Sequence, residues 1–276
     1  IVSGITNALL NMTFVIVFHM SVEGVAIATV ISQILSCTLV LRCLHHTEGC
    51  YQLRFSRLKI KSYYLKQIFQ VGIPAGIQSI VINFSNVLLQ SSVNSFGSVS
   101  MAGYTAADNL MGFIYVSVNA VTQACMSFTS QNYGAGDFQR CKKVYRLCMI
   151  FSVIFCGLLS GIFVLGRDFF LRLYTTDTAV LGFAMQRLTI VTTLELLTST
   201  YEISAGAMRG RGHSLLPAVI TVFGSCVLRL IWISTACRQV HEFWMLMIIY
   251  PISWVVTGTA MIIAYARMER KEKLAA

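Results

Sequence analysis

Charge is what this sequence has least of. Only 12% of its 276 residues are Asp, Glu, Lys or Arg, and just 11 are acidic, against about 25% charged in an ordinary water-soluble domain. Proline is equally scarce: Pro74, Pro217 and Pro251 are the only three, so little interrupts long helices. Motifs of common catalysis are missing. There is no HExxH or GxSxG, and the Gly-rich run 132–137 lacks the strand before it and the GK[ST] ending of a phosphate loop. An enzymatic function is therefore not expected. The nine cysteines are an odd number with no zinc-like spacing. Cys125, Cys148, Cys156 and Cys226 lie in apolar runs and read as small hydrophobes. The adjacent His45 and His46 diverge on a helix and make no metal pair. Neither metal nor cofactor is expected. The chain begins at Ile1 with no initiator Met, no basic leader and no cleavage site, as expected of a piece that lacks its own N-terminal helices.

What is abundant is oil. Hydrophobic residues make up 56% of the chain and the mean hydropathy is +0.70. The pattern predicts an all-α membrane protein with about eight transmembrane helices, over 1–20, 22–44, 71–96, 98–130, 147–165, 179–208, 215–236 and 243–266. About 20 residues at roughly 1.5 Å each cross a hydrocarbon core of about 30 Å. Residues 62–70 read as a short amphipathic helix on the membrane surface. Pro74 falls in the first turn of its span, where a missing N–H costs little. Pro251 is expected to kink the last span. The chain divides into 1–44, a polar linker 45–70, a six-helix region 71–266 and a charged tail 267–276.

The polar residues inside the spans are patterned. Ser79, Asn83, Asn86, Gln90 and Asn94 recur at three and four, as do Thr105, Asp108, Gly112, Tyr115, Asn119 and Thr122. That spacing lays each set along one helix face. Amides unpaired in hydrocarbon cost several kcal/mol, so the stripes must face other helices or a watery cavity. Helix–helix glue and a solute-lining surface both satisfy this requirement.

Net charge is +10, but the basic residues do not form a nucleic-acid surface. Loops 42–66, 140–146 and 209–211 and the tail hold sixteen Lys and Arg, Arg57 among them. The opposite loops hold only Arg167, Arg172 and Arg238. This alternation places the long loop and the C-terminus in the cytoplasm, in a plasma or bacterial inner membrane. The partners expected are the lipid bilayer and small solutes, not nucleic acid.

Several segments, GIPAGIQS (72–79), SVNSFGS (92–98), AGYTAADNLMGFIY (102–115), TSQNYGAGDFQR (129–140) and MRGRGHS (208–214), together resemble the multidrug and toxin extrusion (MATE) family of cation-coupled antiporters. Asn7, Asn11 and the run 14–33 are similar to the fifth and sixth helices of its first lobe. The resemblance implies the last two helices of that lobe followed by a complete C-terminal six-helix lobe. It also implies efflux of organic cations or drugs against H⁺ or Na⁺, with no cofactor beyond that ion. Some sodium-coupled members carry an acid in the GxP helix, whereas Val81-Ile82-Asn83 stand here. In relatives a Glu precedes an SGALRG segment, and Glu202 in YEISAGAMRG matches it.

Only three carboxylates fall within the spans: Glu202, Asp108 and Glu195. Removal from water favours the protonated form of a carboxyl, so each is a candidate for ion or proton coupling, the alternative being an ion pair with Arg187 or Arg229. Glu195, Thr198, Ser199 and Glu202 share one helix face by spacing. Asn83, Asn86, Gln90, Tyr104, Tyr115, Asn119 and Tyr201 are candidates for the substrate cavity, the aromatics by cation–π contact. Two rivals remain. A lipid-linked oligosaccharide flippase of the same superfamily should concentrate Arg and Lys in its cavity, but only Arg187 and Arg229 lie within spans. A membrane receptor or scaffold without transport is the other.

Overall fold

The computed structural model describes residues 1–49, 52–54 and 58–275, and for 273–275 the backbone alone. Cys50, Arg57 and the Lys273 side chain lie outside that set. Among the described residues all regular structure is helical. Contacts divide the chain into two compact units, Ile1–Ser62 and Tyr63–Ala276.

In the first unit, α1 (Val2–Met12) runs on into a wide π turn, Thr13–Val17, and α2 (Val22–His46) packs back against it. Asn11 Nδ2 donates to Asn7 Oδ1 at 3.0 Å, and Asn7 Nδ2 to Ser32 Oγ at 3.1 Å. Here the predicted polar positions do bind helix to helix, the only use an apolar medium leaves to buried amides.

The second unit begins with α3 (Ser62–Asn94), α4 (Ser98–Gly134) and α5 (Phe138–Leu165). Residues 62–70 are not a separate surface helix but the first turns of α3, and the basic segment 140–146 is likewise the start of α5. Pro74 thus stands inside a helix, where it leaves the carbonyl of Gln70 without its usual N–H. Ser214 Oγ donates to that carbonyl at 2.9 Å, so the helix continues unbroken.

After the short α6 (Arg167–Arg172), the predicted single span 179–208 is bent by 40°. It consists of α7 (Thr178–Arg187), a π turn Leu188–Thr192, a 3₁₀ turn Glu195–Leu197 and α8 (Thr198–Gly210). The next span joins α9 (Leu215–Thr221) through a third π segment, Val222–Val227, to α10 (Leu228–Ser234) and α11 (Ala236–Gln239). Then α12 (Phe243–Met247) gives way to α13 (Ile249–Ala275). The break at Ile248 is the expected effect of Pro251, which cannot donate to the carbonyl of Met247. Among the described residues six helices are long and apolar enough to cross a bilayer. The bent pair makes a seventh, and Val2–Val17 is a shorter apolar helix.

The core of this unit lies where α4 crosses α7 and α8. Gly103 allows the crossing: a Cβ there would lie 2.7 Å from the Val180 carbonyl oxygen and 2.9 Å from the Ala184 nitrogen. Backbone atoms cannot swing aside as a side chain can. Leu110, Leu188, Met247 and Trp254 fill the space beneath.

Candidate functional site

The polar face of α3 is best seen against its other two faces. At 3.6 residues per turn, each residue advances roughly 100° around the axis. Gln78, Ser85, Leu89 and Val93 are buried and share one direction, toward the rest of the unit. Ile73, Ile77, Ile80, Phe84 and Val87 are exposed and share a second. Ser79, Asn83, Gln90 and Asn94 are exposed, and with the half-buried Asn86 they form a third strip between these two. The amides are therefore neither in the core nor on the apolar face suited to lipid. They occupy a separate polar strip about 100° from each.

On α4 the second stripe follows the border of the core. Asp108, Tyr115 and Thr105 are exposed, Gly112 and Asn119 are half-buried, and Thr122 is buried with its hydroxyl on the Val118 carbonyl at 3.0 Å. Between Asn94 on α3 and Thr105 and Asn109 on α4 opens a groove of about 560 Å³, walled also by Tyr174 and Thr175.

Asp108 does not stand alone. Its Oδ1 accepts from Arg187 Nη2 at 2.5 Å; the Arg187 side chain is 2% exposed and that of Asp108 is 53% exposed. The Arg187 guanidinium carbon lies 3.5 Å from the Tyr104 ring centroid and 5.3 Å from that of Tyr250. The two tyrosine hydroxyls bond at 2.9 Å. Tyr104 is thus a buried wall for Arg187 rather than a cavity-facing aromatic, and the cation on its ring belongs to the protein. Ion pairing falls to Asp108, not Glu195. Glu195 sits on the 3₁₀ turn beyond the bend, with Oε2 buried and no hydrogen-bond partner. No Lys or Arg nitrogen lies within 4 Å of it among the described residues. Glu202 is half-buried two turns further along, and Tyr201 beside it packs against the core. Arg209, in the last turn of α8, donates to Gln78 Oε1 at 2.6 Å and ties α8 to α3.

Spacing brought out the three carboxylates and the two stripes. It missed Tyr250, which touches Arg187 and Arg229, and it could not choose a partner for Arg187. The one signal available was the rule that an intramembrane cation needs an anion, and that rule leaves three choices.

These features define an all-helical, multi-pass membrane protein with a polar strip and paired intramembrane charges. The MatE family model matches residues 74–234, more than half of the chain, and the chain belongs to that family. The probable multidrug resistance protein YoeA of Bacillus subtilis is 28% identical over 209 residues, covering 74% of this chain and 45% of the relative. The multidrug export protein MepA of Staphylococcus aureus is 21% identical over 231 residues, covering 83% and 51%. The chain therefore spans about half the length of the curated relatives it matches. The MATE transporter VcmN of Vibrio cholerae, in its bent form, superposes with a TM-score of 0.84 at 19% identity, covering 99% of this chain and 62% of that one. An outward-facing multidrug resistance MATE family transporter gives a TM-score of 0.88 at 16% identity, covering 99% and 62%.

Proposed function

We propose that this chain forms part of a secondary transporter that expels organic cations or drugs in exchange for H⁺ or Na⁺. The observation that carries the proposal is the strip Ser79–Asn83–Asn86–Gln90–Asn94, polar and accessible yet set apart from the apolar exposed face of the same helix. A third face that is polar and accessible in this unit suits water or a solute inside the membrane. The names of the relatives as multidrug export and resistance proteins support the same assignment.

In this scheme Asn83, Asn86, Gln90, Tyr115 and Asn119 meet the solute, and Tyr201 backs them. Glu202 is the coupling carboxylate, because it is half-accessible and has no cation within 4 Å among the described residues. Glu195 is the second titratable group, held where the span is bent. Asp108 is the fixed anion that neutralises Arg187. Residues 1–44 belong to one lobe, 45–70 link the lobes, 71–266 form the second lobe, and the tail from 267 lies in the cytoplasm. Alternating access follows from one lobe rocking against the other.

The test is transport by the whole protein that contains this chain, reconstituted in vesicles with pH and Na⁺ gradients imposed separately. One gradient should drive efflux of a cationic dye, and Glu202→Gln should abolish the dependence on it. Gradient-driven efflux that survives the substitution would remove Glu202 from the mechanism.

A further inference from the structure

Among the described residues three arginines are more than nine-tenths buried: Arg187 at 1% exposure, Arg211 at 5% and Arg229 at 7%. A guanidinium keeps its charge in proteins and is costly to bury without an anion. Two of the three have one. Arg187 holds Asp108, and Arg211 holds Glu272 Oε2 at 2.6 Å. Among the described residues no carboxylate lies within 4 Å of Arg229.

All the contacts of Arg229 are neutral. Nε donates to Ser253 Oγ at 3.3 Å, Nη1 to Asn86 Oδ1 at 3.5 Å, and the guanidinium carbon lies 4.6 Å from the Tyr250 ring centroid. Two of these are long for charge-assisted bonds, which run at about 2.7–2.9 Å. Arg229 also sits in the middle of the apolar stretch Leu215–Gln239, about 15–20 Å of helix from either end, too far to reach bulk water by extending. The π segment Val222–Val227 ends two residues before it, and such wide turns inside helices are frequent at functional sites.

Arg229 Nη2 and Asn86 Nδ2 have no acceptor among the described residues, and the Asn86 side chain already meets the guanidinium through its oxygen. Asn86 belongs to the polar strip of α3, between the exposed Asn83 and Gln90. Whatever occupies the strip can therefore reach Arg229. We infer that Arg229 and Asn86 form a subsite for a monovalent anionic group, a halide or the carboxylate of an anionic or zwitterionic solute. A single unneutralised cation with amide and hydroxyl neighbours balances one negative charge. A doubly charged phosphate would call for a second cation, and Arg187 is already committed. The solute source rests on the efflux proposal; the anion site itself does not.

The experiment uses the full chain in nanodiscs, with Trp232 and the exposed Trp244 both replaced by Phe. Trp254 remains as reporter: it is 5% exposed, and its ring centroid is 6.0 Å from that of Tyr250, on which Arg229 stacks. Sodium iodide is the probe. Iodide held at Arg229 quenches tryptophan emission saturably, whereas random collision quenches it linearly. Saturable quenching is expected, weakened at least roughly tenfold by Arg229→Gln. Arg229→Lys should retain halide binding but lose preference for carboxylate, which a guanidinium grips with two bonds and an ammonium does not. Competition separates the sources. Displacement of iodide by benzoate at concentrations well below those of chloride assigns the site to a solute carboxylate, and the reverse assigns it to a halide. Linear quenching in the parent, or saturation unchanged in Arg229→Gln, overturns the site. If Arg229→Gln does not fold, Asn86→Leu replaces it and should weaken iodide several-fold; unchanged saturation there also overturns the inference. Failure of iodide binding leaves the efflux proposal intact, and failure of cation efflux leaves the anion site intact.

Discussion

Removing Asp108 should harm this protein more than removing Arg187, although the two form one ion pair. Arg187 is the buried partner, with its side chain 2% exposed, and Asp108 the accessible one, at 53%. Asp108→Ala leaves a charged guanidinium in the core with only tyrosine faces and the Met247 sulfur for company. Breaking a buried pair from one side costs about 3–5 kcal/mol. Solvent at the half-exposed carboxylate screens the original attraction, so about 1.5–3 kcal/mol is the appropriate loss. Arg187→Met takes away the charge that needed compensation and leaves a flexible side chain to fill the space. It forfeits a cation–π contact worth about 1 kcal/mol and frees an acid that can turn to water. The loss should be about 1 kcal/mol or less. In the double variant the Asp108 substitution should add almost nothing, a coupling of about 1.5–3 kcal/mol. Thermal stability in detergent, followed by fluorescence-detected size exclusion, reads these differences at about 2–4 °C per kcal/mol. Asp108→Ala should fall by about 3–12 °C and the other two by a few degrees. If Arg187→Met melts as low as or lower than Asp108→Ala, the pair is not an acid neutralising a buried cation.

Other substitutions test the packing and the ends. Gly103→Ala forces a methyl group against the backbone of α7 and should cost about 1–3 kcal/mol. Gly112→Ala on the same helix meets nothing within 4 Å and should be neutral or slightly stabilising; the same melting assay compares them. Ser214→Ala leaves the Gln70 carbonyl freed by Pro74 without its donor, at a cost of about 1–2 kcal/mol. Ser214→Ala combined with Pro74→Ala should recover most of that loss, and no recovery would disprove the link. Glu272→Ala strands Arg211, whose side chain is 1% exposed. It should speed amide exchange in the last turns of α13 by about tenfold or more relative to the middle of that helix, as measured by hydrogen–deuterium exchange.

The parts of this structure legible in the sequence are those that repeat. Five polar residues at helical spacing announce a face, and the apolar residues between them announce the span, so α3 and α4 were visible as a pair. Element ends were not, because charged residues continue a helix beyond hydrocarbon as readily as they stop one; Ser62–Gln70 and Arg140–Arg146 both became helix. The bend between α7 and α8 has no Pro or Gly at Thr193, Leu194 or Glu195, so nothing local predicts it. Its environment does, since Arg187 must reach α4 on one side of the bend while Glu195 turns into the core on the other. The pairing of Asp108 with Arg187 joins residues 79 apart, and long-range pairing is set by packing that one sequence does not display. Tyr104 illustrates the same limit: its type and neighbourhood suited a solute cation, but its ring face was already taken by Arg187.

The central claim is that the amide strip of α3 meets water while its apolar exposed face meets lipid. In the whole protein that contains this chain, freed of native cysteines, single cysteines at 83, 90 and 94 and at 80, 84 and 87 can be challenged with a charged, membrane-impermeant thiol reagent. Asn83→Cys, Gln90→Cys and Asn94→Cys should react at least roughly tenfold faster than Ile80→Cys, Phe84→Cys and Val87→Cys, because the reagent and the thiolate both need water. Equal rates on the two faces, or faster reaction at 80, 84 and 87, would contradict the account.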